Sequence, residues 1–358
     1  MIHLEALGAV LQGTVILPAI LAKWPEAQIT WITSSAAFHL LENNPHIHRL
    51  IKNNYEGSLA LRALSFDYTM CIDKSLVAAG LTELPRSAGT RLGFGSSHDH
   101  GNIVPLNSEA EELWHLGLSN HEKFFVNTKP ETQLMTEALA LPYRRQEYVF
   151  SWKPEELIFR SEEFTRLKLQ AQKKVLGFNT GCSATLPHKK LSIDGWVELI
   201  LTARERFPEV QFLLLGGPED TERNAAISSL VQQNSVTPLR LMNTPTNLGL
   251  RKGMVYVDLC DAIVTGDSLG MHMSIALKKW TVAWFGPSCL QEIDFFGRGV
   301  GIKTDAPCAP CWKRDCAKPV MCYDLVRFDK ILDAVEMSPQ FRKQSSEVLI
   351  AENVAAAV

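Results

Sequence analysis

Residues 262–272 read AIVTGDSLGMH. The run 262–265 is short and almost wholly apolar, as in a strand covered on both faces. Gly266 to Gly270 is small and polar, and 270–277 (GMHMSIAL) has helical character. A buried strand that turns directly into a helix is half of a βα unit, and ligands of open α/β sheets bind just past the carboxyl ends of such strands. A helix beginning at Ser268 aims free N–H groups and the positive end of its dipole at an anion. Gly266, Ser268 and Gly270 leave room for phosphate oxygens to reach the backbone. The same residues also suit a plain capped helix start, with Asp267 or Ser268 as the N-cap.

Outward from this stretch the alternation continues. Strands are predicted at 175–179, 211–215 and 281–285, and helices at 193–207, 219–233 and 270–277. The first half repeats the pattern, with strands at 2–6, 28–33, 47–51 and 67–73. Helices are expected at 10–23, kinked at Pro18, and at 36–42. A long loop, GFGSSHDHGN, spans 93–102. Strands separated by helices imply parallel sheets, and two such sets imply two Rossmann-like halves facing a cleft. The boundaries expected are 1–150 for the first domain and 173–325 for the second. A polar, helix-prone link covers 151–172, and a helical segment and tail cover 326–358, frayed from about 351 onward.

A chain of 358 residues is long enough for two cores. Its formal net charge of −3 and its lack of a Lys/Arg-rich block argue against nucleic acid as a partner. Nothing approaches the about 18–20 apolar residues of a membrane span, and the N-terminus lacks the form of a signal peptide. The expectation is a cytoplasmic protein, with at most peripheral membrane contact.

Two further loops follow predicted strands. Asn179-Thr180-Gly181-Cys182-Ser183, with Pro187-His188-Lys189-Lys190 behind it, suits a diphosphate: Gly181 and Ser183 offer backbone and hydroxyl, and Lys189 a point charge. The alternative is a turn with two solvated lysines. Gly216-Gly217-Pro218-Glu219-Asp220 reads as a turn into an acidic first helical turn.

Taken in order, these pieces resemble glycosyltransferase family 9, the heptosyltransferase-type enzymes of GT-B fold. The resemblance rests on the Lys189-Lys190 loop, the Gly-Gly-Pro-Glu turn, Gly266-Asp267-Ser268-x-Gly-Met-His272 and Phe285-Gly286-Pro287. In the first half it rests on Ala6-Leu7-Gly8, Leu17-Pro18-Ala19-Ile20, Trp24-Pro25 and Asn44-Pro45. It implies a nucleotide-sugar donor, often ADP-heptose, and a lipopolysaccharide-core or related glycan acceptor. It also implies no catalytic cofactor, and donor contacts at Lys189, Asp267, Ser268, Gly270 and His272. Where the family commonly has Gly-Asp in its first loop, with that Asp as the proposed base, this chain has Gly8-Ala9. Alanine takes no proton. Glu5 and Asp73, at strand ends facing the expected cleft, are the candidate replacements. The rival is a degenerate, non-catalytic sugar-nucleotide or glycan-binding protein.

The last motif is Cys308-x2-Cys311-x4-Cys316-x5-Cys322. Four thiols in one short loop suit a closed tetrahedral site. A structural zinc is expected, with iron the alternative and four reduced surface thiols the plain reading.

Overall fold

The computed structural model describes residues 1–4, 6–183, 185–235 and 239–342. The N-terminal half contains α1 (Leu7–Gly13), α2 (Ile16–Lys23), β1 (Thr30–Thr33), α3 (Phe38–Leu41), β2 (Arg49–Lys52), α4 (Tyr55–Arg62) and β3 (Tyr68–Cys71). It continues with α5 (Leu76–Leu81), β4 (Thr90–Ser96), β5 (Ile103–Pro105), α6 (Glu111–Leu118) and α7 (Glu131–Ala138). Then come α8 (Pro154–Arg166), β6 (Val175–Asn179), α9 (Ile193–Arg206), β7 (Gln211–Leu215), α10 (Thr221–Asn234) and β8 (Leu241–Asn243). The chain ends its described part with α11 (Leu250–Asp258), β9 (Ala262–Gly266), α12 (Leu269–Ala276), β10 (Trp280–Phe285), β11 (Gly299–Lys303) and α13 (Phe328–Glu336).

The C-terminal strands form one parallel sheet in the order β11-β10-β9-β6-β7-β8. From β6 onward this is the Rossmann order, and β6 and β9 lie side by side at its switch point. In the N-terminal half β1 pairs with β2, β3 with β4, and Ile2 bridges both β1 and β3. Ile2 thus stands where the first Rossmann strand belongs, but the expected strand at 2–6 is reduced to this bridge.

Side chains along β7 alternate between the two faces of the larger sheet. Phe212 and Leu214 pack with Trp196, Ile200 and Val264 under α9 and α13. Leu213 and Leu215 pack with Met254 and Met271 of α11 and α12. This second core runs on without a break into Val10 and Leu11 of α1. The α11/α12 face of one domain is therefore also the wall against the other, which places α12 at the cleft.

Several local expectations are corrected. The helix expected over 10–23 is two, α1 and α2, separated at Thr14, whose hydroxyl donates to Leu11 O (2.6 Å). Pro18 does not kink a helix, because it sits in the first turn of α2, where no N–H is needed. The expected loop at 93–102 is largely a hairpin of β4 and β5, with Phe94 opposite Pro105. The helical propensity expected over 151–172 is realised as α8, which is packed rather than a free link. Arg251 of α11 binds Glu156 of α8 (Nη2 to Oε2, 2.7 Å) and the carbonyl of Glu42 in the first domain (3.0 Å). The tail from 343 onward lies outside the described residues.

Candidate functional site in the interdomain cleft

The carboxyl ends of β6 and β9 are in register, Asn179 opposite Thr265. The Asn179 amide donates to Thr265 Oγ1 (3.0 Å), Ser268 Oγ (3.1 Å) and Gly181 O (3.2 Å). One side chain thus ties the first phosphate-type loop to the start of α12. Ser268 is the N-cap residue by backbone position, but its hydroxyl makes no capping bond to the helix. It is spent on Asn179 and Thr265 (3.2 Å), leaving the cap amides to other partners.

Lys189 reaches this point from the short turn Pro187–Lys189, and its ammonium lies 2.5 Å from Asp267 Oδ2. Burial acts to raise the Asp267 carboxyl, but the Lys189 charge and hydrogen bond outweigh it and hold the group below its usual range. Lys190 turns the other way, to Asp220 Oδ1 (3.0 Å), whose second oxygen accepts from Gly217 N (3.0 Å). Asp220, read from sequence as part of a plain acidic turn, is thus a buried clamp. Its carboxylate packs so closely on Gly181 that a Cβ there would collide with it.

Not every predicted site residue faces open space. Gly270 is small because Asn179 lies against it, a Cβ meeting the amide at 2.5 Å. Ser183 is exposed and bonds Thr185 (3.1 Å). His272 points into the seam between the domains, where Nδ1 lies 3.0 Å from Tyr148 OH and the ring faces Gly8 of α1. Burial lowers its pKa to about 4, so the ring is neutral.

The two candidate bases separate. Glu5 lies outside the described residues. Asp73 is completely buried: one oxygen accepts from the Leu4 amide, and the other is 2.5 Å from His3 Nδ1. The other His3 nitrogen bonds Ala9 O (2.8 Å). Both ring nitrogens face acceptors, so the geometry suits an imidazolium. Asp73 holds this ring and so fastens the Ile2 segment to α1. The side chain of Ala9 is a methyl group.

Three groups at the cleft carry no signature in the sequence. Lys123, on a turn of the first domain, pairs with Glu292 of the second (3.2 Å). Glu292 is nearly buried, and burial together with the Glu131 charge pushes its pKa to about 7 against the pull of Lys123. The indole of Trp312 is close to both Lys123 and Lys189, with the two ammonium nitrogens 4.6 and 4.9 Å from its centre. Clustered opposite charges around two domain edges are visible only once the chain is folded.

Trp312 belongs to the cysteine-rich loop. Cys322 Sγ faces the His188 carbonyl (4.0 Å) and is pushed to about 11 by burial and by the charges of Cys311, Cys308 and Cys316. The neighbouring Cys308 sulfur raises the Lys318 ammonium above its usual range. The thiols therefore neighbour one another, yet among the described residues no three His, Cys, Asp or Glu side chains converge as a ligand set. No helix among the described residues is long and apolar enough to cross a membrane.

Comparison with known proteins bears on the family and the fold. The family model for glycosyltransferase family 9 (heptosyltransferase) matches residues 60–321. A lipooligosaccharide heptosyltransferase 2 of Campylobacter jejuni serotype O:6 is 24% identical over 189 residues, 52% of this chain and 58% of that protein. The matched stretch thus spans little more than half the length of that curated relative. Among solved structures, a glycosyl transferase family 9 protein of Veillonella parvula superimposes with a TM-score of 0.65 at 16% identity, covering 94% of this chain and 95% of that one. The ADP-heptose lipopolysaccharide heptosyltransferase II of E. coli does so with a TM-score of 0.63 at 17% identity, over 94% and 96%. With a family match over well over half its length, and with two Rossmann-like domains set across a cleft in the GT-B manner, this chain belongs to glycosyltransferase family 9 (heptosyltransferase).

Proposed function

We propose that the protein is a heptosyltransferase-like glycosyltransferase. It moves a sugar from a nucleoside-diphosphate donor, ADP-heptose being the first candidate, to a hydroxyl of a lipopolysaccharide-core or related glycan. The observation that carries this is the Lys189–Asp267 pair at the carboxyl ends of β6 and β9, in the cleft beside the uncapped start of α12. A donor diphosphate there accepts from Lys189 and from the cap amides. Donor binding belongs to the C-terminal domain and acceptor binding to the N-terminal one.

In the reaction the acceptor oxygen bonds to the anomeric carbon as the bond from that carbon to the β-phosphate oxygen breaks. The electron pair leaves with the nucleoside diphosphate, whose developing charge Lys189 and the helix start stabilise. No catalytic metal is invoked. The acceptor also gives up a proton, and Ala9 cannot take it. Glu292 stands at the cleft, paired with Lys123, with a pKa near neutrality, which suits a general base. Asp73 is engaged by His3 and Leu4, and Glu5 is tested beside it below.

Incubation with ADP-heptose and a truncated lipopolysaccharide core tests the proposal, with released ADP and glycosylated acceptor as readouts. Tight donor binding with neither product would favour the non-catalytic binding protein. The cysteine loop supports a separate structural proposal: Cys308, Cys311, Cys316 and Cys322 take up one zinc or iron ion, the loop closing around it. Four thiols within fifteen residues support it.

A further inference from the structure

The backbone of the cysteine-rich loop is fastened directly to the donor-side turn. The amides of Cys311 and Trp312 both donate to Pro287 O, at 3.0 and 2.8 Å. Trp312 holds φ at 52°, a left-handed conformation that a bulky side chain adopts at a cost. Its indole N–H points to the buried Cys289 sulfur (3.4 Å). Strain of this kind persists where the surroundings over-determine it, and an observed outlier invites a functional account. Here the surroundings hold one ring against two ammonium groups, Lys189 of the donor loop and Lys123 of the opposite domain. Indole is the strongest of the aromatic faces for a cation.

We propose that Trp312 is a positioning residue of the donor site: its indole holds Lys189 in the orientation that receives a nucleoside diphosphate. The cysteine-rich loop thereby sets donor affinity without touching the phosphates. The physical reason is entropic. A lysine side chain is among the most costly to immobilise, and Lys189 lies between the Asp267 carboxylate and the indole face before ligand arrives. With the ring gone, its ammonium keeps only the Asp267 contact and regains rotamer freedom that ligand binding must then remove. The inference rests on the donor site proposed above.

Calorimetric titration with ADP, GDP and UDP tests it, using wild type, Trp312→Leu, Trp312→Phe, Lys189→Ala and the Lys189→Ala/Trp312→Leu double variant. Trp312→Leu is expected to weaken the preferred diphosphate by about three- to thirty-fold, the span of a cation–π contact from exposed to desolvated. Trp312→Phe, which keeps a ring face, is expected to recover most of that loss. In the Lys189→Ala background Trp312→Leu is expected to do nothing more, because it acts through that lysine. A merely structural role would add its loss in both backgrounds, and that result would overturn the inference. So would undiminished binding by Trp312→Leu. If Trp312→Leu fails to fold by thermal melting, Trp312→Gln, suited to a half-exposed position, goes through the same cycle. Wild type binding none of the three diphosphates would remove the donor site itself, and this inference with it.

Discussion

The His272 ring of α12 lies so close to Gly8 of α1 that a Cβ on Gly8 would sit 2.5 Å from the imidazole Cδ2. Gly8→Ala therefore forces either α1 or His272 to move, and His272 is held by Tyr148 at 3.0 Å. Overpacking of a closed seam costs about 1–3 kcal/mol. Chemical denaturation should show that loss for Gly8→Ala. The same change at exposed Gly101, which has φ at 65° but nothing within 4 Å of a Cβ, tests backbone strain without the clash.

The same histidine makes stability depend on pH. In the unfolded chain it titrates near 6.5, in the fold near 4. Between those values the unfolded state binds the extra proton, so acid favours unfolding and stability is lost as pH falls from 6.5 toward 4. The loss is on the order of 3 kcal/mol at the acid end. Melting curves of His272→Gln should be flatter than wild type over that window. Parallel curves would show that His272 does not titrate in this way.

Lys189→Ala should weaken nucleoside diphosphate binding by about 1–3 kcal/mol, the scale of a charge-assisted hydrogen bond. Lys190→Ala provides the contrast. Lys190 is occupied by Asp220, so its loss should cost stability and leave affinity nearly unchanged. Equal affinity losses for the two would remove the distinction between a ligand lysine and a clamp lysine.

If Glu292 takes the acceptor proton, transfer should rise with pH through about 7 as its carboxyl ionises, facing Lys123, Glu131 and Asp267. Glu292→Gln should lower kcat by about 10²-fold or more. Asp73→Asn should instead cost stability, about 3–5 kcal/mol for a broken buried ion pair. Glu5→Gln and Ala9→Asp complete the comparison. Full turnover in Glu292→Gln, or a rise in Ala9→Asp with the pH profile unchanged, would move the base to another group.

For the cysteine loop, elemental analysis of protein purified without chelator should find one zinc or iron per chain. Stripping the ion should leave the sheets of both domains folded, since none of them draws strands from 308–322. Four thiols that titrate freely in native protein, with substoichiometric metal, would leave the loop a plain one.

The alternation of strands and helices in both halves was written in the sequence. β6 and β7 fall on the residues expected from their apolar runs, because local burial on both faces leaves a local mark. Other features depended on residues far apart in the chain. Pro18 reads as a kink until the break at Thr14 puts it in a first turn. Asp73 reads as a free strand-end carboxylate until His3, seventy residues away, takes it. Glu292, Lys123 and Trp312 come from three separate segments and meet only when two domains close on each other. Charge and cation–π contacts have no periodicity along a chain, so the tertiary structure alone decided which carboxylate faces the cleft and which ring holds its lysines.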